Sequence, residues 1–204
     1  MSIRPSVAIH ETYAAQVEAI TRCRDHLLKD ERFVKGWVVI SINQWDMEQE
    51  RVLILSNKSL HRIKYNFETK FIERSEKTDL IDITHIERGF LKYGKFTISR
   101  VVSKTPEKYG IRIHAREGTE AGTRSASNPF ATKQAIRTFT TLDIVPPDHA
   151  KSILQDMTDS VAECVRRINP HAPFYIAECD LPRKAYLGAV TSGLNRMKVG
   201  SWNK

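Results

Sequence analysis

The residues best equipped for covalent chemistry are three cysteines, Cys23, Cys164 and Cys179. A cysteine that transfers phosphate acts as a thiolate and needs, six positions later, an arginine to grip the transferred group. The residues at that offset are Lys29, Pro170 and Ala185, so no cysteine meets the requirement. The odd number and wide spacing read as reduced, partly buried thiols rather than a disulfide framework. Seven histidines lie far apart, and no pair has the spacing of a metal-binding helix. His61, His85 and His114 fall on strand-like stretches and read as hydrogen-bonded or solvated neighbours. No phosphate-binding glycine loop, dinucleotide fingerprint, nucleophile elbow, HExxH or paired CxxC occurs. The expectation is therefore a non-enzyme, with no catalytic residue, no metal ligand and no cofactor.

Charge is the remaining chemistry. The chain has 204 residues and a formal net charge of +8, which favours an anionic partner. Between residues 89 and 142 there are ten Lys or Arg and three acidic residues. If the strands there are neighbours, Lys92, Lys95, Arg100, Lys104, Lys108 and Arg112 converge on one face as a membrane- or anion-binding surface. A solvated basic face is the plainer alternative. Nucleic acid is disfavoured, because aromatics make up only 8% of residues and no RNP-like or GxxG clamp accompanies the basic stretch.

These residues must be positioned by regular elements. Tyr13, Val17, Ile20, Leu27 and Leu28 lie on one stripe of a helix over residues 10–30, which is expected to dock on a sheet. Calmodulin binding is an alternative use of that helix, although its acidic residues argue for packing. Val38 to Ile42, Val52 to Leu55 and the alternation of Ile63, Tyr65 and Phe67 with Arg62, Lys64 and Asn66 predict three strands. Residues 66–78 read as a charged connection. Further strands are predicted over 80–86, ending at Gly89, and over 96–102, 109–115 and 135–142. Residues 117–128 read as a loop. A long apolar stripe from Ala150 to Ile168 predicts a helix, with Pro147 and Asp148 in its first turn. One more strand near 174–177 and a helix from Arg183 to Lys198 complete the chain. No window is apolar enough for a membrane span.

Seven strands followed by a long helix is the order of a pleckstrin-homology-like barrel or sandwich, an α+β fold in which the helix plugs the barrel. The expected division is an N-terminal helix (1–32), the barrel domain (33–169) and a C-terminal strand-helix extension (170–204).

Gly36-Trp37 before an apolar strand, then Gln44-Trp45-Asp46-Met47-Glu48-Gln49-Glu50-Arg51, Val52-Leu53-Ile54-Leu55 and Lys64-Tyr65-Asn66-Phe67, resemble the Mover family of presynaptic proteins. These are relatives of the tumour-protein-regulated gene-one-like protein. Their domain recurs beside the catalytic module of one Sac-type inositol phosphatase. Tyr109-Gly110-Ile111-Arg112-Ile113 and Tyr186-Leu187-Gly188-Ala189-Val190 extend the resemblance over about residues 13 to 200. It implies a pleckstrin-homology-like fold, a homodimer, no catalysis, and a peripheral place on the cytosolic face of vesicles or endosomes. It also makes Trp37, Trp45 and Tyr65 a structural signature. Family members carry a longer Gly/Pro-rich leader than this chain, which bears on vesicle targeting.

The reading that results is a cytoplasmic, homodimeric adaptor that tunes vesicle traffic or presynaptic release through protein partners and weak membrane electrostatics. The alternatives are a specific phosphoinositide-binding module and, more remotely, an inositol phosphatase-related activity. Against the first stands the loop Asn43 to Glu50, which is acidic where a headgroup-binding relative would place cations.

Overall fold

The computed structural model describes residues 5–93, 107–116 and 134–183. Helix α1 (Pro5–Leu27) precedes β1 (Phe33–Ile42), β2 (Glu48–Ser56), β3 (Ser59–Asn66) and β4 (Phe71–Asp79). A 3-10 turn (Leu80–Asp82) leads into β5 (Ile83–Tyr93), β6 (Tyr109–Arg116) and β7 (Gln134–Thr140). Helix α2 (Pro147–Ile168), β8 (Tyr175–Glu178) and β9 (Leu181–Arg183) follow. Spatial order is β4-β3-β2-β1-β7-β6-β5-β8, with β9 also beside β5, so β4 and β8 end the path and the sheet is not closed. Strands β1 to β7 pair antiparallel, whereas β8 and β9 join β5 in parallel. This is the pleckstrin-homology-like order, enlarged at one edge.

Both faces of the first strands are buried, and the continuous apolar run Val52 to Leu55 follows from that. On the concave face Trp37, Leu53, Ile111 and Phe139 receive Leu154, Met157 and Val161 of α2. Prolines 146 and 147 open α2, while Arg166 and Arg167 lie in its last turn against the negative end of the helix dipole. On the convex face α1 lays Ala19 and Cys23 over Val52, Ile54, Ile63 and Tyr65. The approach is close: a Cβ on Gly36 would stand 2.6 Å from Ile20 Cγ2. Of the expected helical stripe, Ile20, Leu27 and Leu28 pack on this face, whereas Tyr13 and Val17 are exposed and Ala19 and Cys23 are the fully buried contacts. Small side chains let the helix axis come nearer the sheet than Tyr13 would allow.

Residues 66–78 correct the expectation of a connection, since they contain β4. Most of β4 is exposed, so it shows no apolar period, and its charges suit an edge that must not recruit further strands. Strand β5 also runs through Gly89 instead of ending there. The expected strand over 96–102, the loop over 117–128 and all but Arg183 of the last helix lie outside the described residues.

A polar clasp ties the exit of α1 to the β2–β3 turn. Glu31 accepts hydrogen bonds from the hydroxyls of Ser56 and Ser59 and pairs with Lys77 at 3.0 Å. Burial works to raise this carboxyl, but the two serines and Lys77 outweigh it and hold Glu31 down to about 2. His61, beside it, is lowered by burial.

Two outcomes follow from this packing. A Cβ on Gly89 would lie 2.0 Å from the Cys179 carbonyl oxygen, a backbone atom, so Gly89→Ala should cost more than about 2 kcal/mol in urea unfolding. Glu31 is depressed from near 4.5 to about 2, so its contribution is complete above the upper value and is lost as pH falls toward the lower. Glu31→Gln should cost about 2 kcal/mol at neutral pH, and the gap to the unsubstituted protein should close over that window in unfolding curves.

Candidate anion-binding site

The antiparallel register fixes which side chains share the concave face. Arg62 lies opposite Leu53 and opposite Glu76, and Leu53 belongs to the concave core. Arg51 is two residues before Leu53 and Arg137 two before Phe139, so with the period of two they point the same way. The contacts agree. Arg62 donates to Glu76 at 2.7 Å and to Ser41 Oγ at 3.1 Å. Arg137 reaches Glu76 at 3.0 Å, and Arg74 reaches its other oxygen at 3.3 Å. Strand β7 is separated from β4 in the sheet by three strands, so the Arg137–Glu76 contact spans the curled interior. A small cavity lined by Leu60, Thr78, Ile113, Ala115, Arg137 and Phe139 adjoins it.

Three guanidinium groups thus meet one carboxylate, and Arg51, bonded to the Glu50 carbonyl and to Gln49, lies near enough to feel its charge. Arg62 and Arg137 are 19% and 23% exposed, which leaves them reachable but poorly hydrated. Burial first, then repulsion from Arg62, lowers both Arg51 and Arg137. Burial would raise Glu76, yet Arg62 and Arg137 hold it below its ordinary value. Arg62 Nε is buried and makes no hydrogen bond. Partly desolvated cations in excess of their counter-charge, one with an unused donor, are what a phosphate recognises through paired N–H bonds. The site lies away from α2, whose Asp156 contacts Lys35 and Trp37 near the start of β1, whereas Ser41 sits near the end of β1.

The acidic β1–β2 connection does not face this cluster as a free charge. Asn43 takes backbone N–H bonds from Trp45 and Met47 on its Oδ1, and Asp46 adopts φ 60. Asp46 and Glu48 are then held by Arg183 of β9, at 2.6 and 2.9 Å. Burial raises the Asp46 carboxyl and Arg183 opposes the rise. Lys108 lies 3.5 Å from Glu48.

Of the six cations expected to converge, the three that are described each have an acidic partner. Lys92 pairs with Asp180 at 2.8 Å, Lys108 with Asp143 at 2.5 Å, and Arg112 with Glu87 at 3.5 Å. Lys95, Arg100 and Lys104 lie outside the described residues. Of the aromatic signature, Trp37 and Tyr65 are buried on opposite faces of the sheet, while Trp45 is 54% exposed in the β1–β2 connection. The thiols are quiet: burial raises Cys23 to about 12 and also raises Cys164 and Cys179.

Sequence reasoning missed Arg51, Arg62, Arg74 and Arg137. The signal was present in the alternation Arg62, Ile63, Lys64, Tyr65. The sequence assigned no face to the polar members of this alternation, since it did not show which strands the helix over 10–30 covers.

Comparisons with known proteins agree with this architecture. The family model described as hSac2, inositol phosphatase, matches residues 7–115. Human tumor protein p63-regulated gene 1 protein is 29% identical over 104 residues, 51% of this chain and 36% of that protein. The match thus spans about a third of the relative's length. Among solved structures, the hSac2 domain from human phosphoinositide phosphatase Sac2 superposes with a TM-score of 0.57 at 18% identity, covering 90% of this chain and 95% of that one. The Slm1-PH domain gives a TM-score of 0.36 at 11% identity over 63% of this chain and 97% of that one. The family model covers more than half of the sequence, and the chain belongs to the hSac2 family.

Proposed function

We propose that the protein is a non-enzymatic adaptor, peripheral on vesicle or endosomal membranes, that receives a phosphate-bearing lipid headgroup among Arg51, Arg62, Arg74 and Arg137. The observation that carries the reading is the excess of guanidinium groups around Glu76, with Arg62 and Arg137 mostly buried and Arg74 largely exposed at the rim. Trp45 and Phe71, 54% and 67% exposed, leave from the strand ends next to this cluster, and exposed aromatics of that kind suit a membrane interface. A structural neighbour drawn from a protein named a phosphoinositide phosphatase is consistent with a lipid context. The diffuse basic face after Gly89 supports the reading less, since Lys92, Lys108 and Arg112 there are engaged by acids. Raised thiols and the missing phosphate-gripping arginine favour recognition over catalysis.

Vesicle flotation with phosphatidylcholine alone, with added phosphatidylserine and with an added phosphoinositide tests this. Each cation near an anionic leaflet is worth about 1 kcal/mol, so Arg62→Ala with Arg137→Ala should weaken binding more than about tenfold. Raising salt should weaken binding of the unsubstituted protein. Glu76→Gln removes the internal competitor and should bind as tightly or tighter, while Lys92→Glu should change little. Equal binding by the unsubstituted protein and the double arginine variant, both folded by thermal melting, would overturn the site.

A further inference from the structure

A second constellation lies on the convex face, away from the arginines. His85 and His114 are partners in the β5–β6 register, and Glu87 follows two residues after His85 on the same face. Ligand atoms of the three lie within 4.8 Å of one another. The two imidazoles stack with centroids 4.0 Å apart at 15°, and Tyr175 of β8 stacks on the far side of His85 at 4.8 Å.

The contacts of Thr84 favour one tautomer of His85. Its hydroxyl donates to the His114 carbonyl at 3.2 Å and stands 3.0 Å from His85 Nδ1. A hydroxyl has one proton, and while it is given to the carbonyl the second contact is accepted from Nδ1–H. That leaves Nε2 with its lone pair, the form in which an imidazole binds a metal while its other nitrogen is held by a neighbour. His114 is 7% exposed, yet neither of its ring nitrogens makes a hydrogen bond. Its Nε2 lies 3.1 Å from Glu87 Oε2, but the ring N–H direction misses that oxygen. Buried polar groups without partners are costly. Two ligand atoms bound at about 2.0 to 2.1 Å in a tetrahedral site are separated by about 3.3 Å, close to the 3.1 Å between His114 Nε2 and Glu87 Oε2, so His85 is the ligand that must move in.

We infer that His85 Nε2, His114 Nε2 and a Glu87 carboxylate oxygen bind a divalent ion of the zinc class, with water in the fourth position. Two imidazoles and one carboxylate form a borderline donor set that suits Zn²⁺ over Mg²⁺ or Ca²⁺. Stacked rings direct their lone pairs along parallel lines, so binding requires the His85 ring to turn away from Tyr175. Arg112 is the internal competitor, 3.5 Å from Glu87 Oε2. It has alternative acceptors in Thr138 Oγ1 at 3.2 Å and the Pro182 carbonyl at 2.9 Å, so it can release the carboxylate.

Calorimetric titration of the chelator-treated full chain with Zn²⁺ tests the assignment, with imidazole nitrogen NMR as a second readout. One ion per chain should bind, with His85 and His114 nitrogen resonances shifting together. His85→Ala and Glu87→Gln, which lie on the less buried side, should each weaken binding about tenfold or more. Arg112→Gln should strengthen it, and His149→Ala should leave it unchanged. Absence of saturable binding would overturn the proposal. So would affinity that is the same in His85→Ala, Glu87→Gln and the unsubstituted protein.

Discussion

The structure depends on the packing of α1 against the convex face of β1, β2 and β3. A strand offers its side chains alternately to two faces, so covering one face with a helix decides what the other receives. Ile63 and Tyr65 go under α1, and Arg62, one residue before Ile63, is therefore turned onto the concave face. Gly36 makes this possible by leaving room for Ile20, and the Glu31 clasp holds the helix exit at the end of the same sheet. A shift of one residue in the register would exchange the two sets and place arginines beneath the helix.

The concave face is in turn divided along its length. Near the start of β1 it is filled by α2, which supplies Leu154, Met157 and Val161 as a dry core. Toward the end of β1 it becomes polar, and Glu76 is the one carboxylate shared by Arg62, Arg74 and Arg137. Such a cluster holds cations close at the cost of some mutual repulsion. Under the proposed function, an entering anion would relieve that repulsion, and Glu76, which lets the cluster fold, would limit how strongly it binds. The β8–β9 segment serves a separate end: Arg183 neutralises Asp46 and Glu48, removing the acidic loop as a repulsive rim.

Much of this was legible in the sequence, and the failures have physical causes. The order of strands and α2 could be read because β-branched runs and a long apolar stripe carry their own period. Strand β4 could not, since a solvated edge needs no apolar alternation. The packed face of α1 was legible in Ile20, Leu27 and Leu28 but not in Ala19, because Tyr13 and Val17 weigh more in a hydropathy pattern, although small residues are what close packing selects. The expected anion face after Gly89 was drawn from charge density alone. Sequence does not show which cations already have acids beside them, and the partners of Lys92, Lys108 and Arg112 come from elements distant in the chain. The His85–His114 pair was invisible for the same reason, since a cross-strand register brings together residues that no local spacing connects.

The central claim is that the concave arginines, rather than the basic strands at large, receive a phosphate-bearing ligand. Nitrogen NMR of the arginine Nε–H groups during titration with inositol trisphosphate tests it most directly. The account predicts that Arg51, Arg62 and Arg137 shift along one saturating curve while Arg183 stays still. Shifts that grow without saturation, or that appear on other arginines with the Arg62 resonance unmoved, would contradict it.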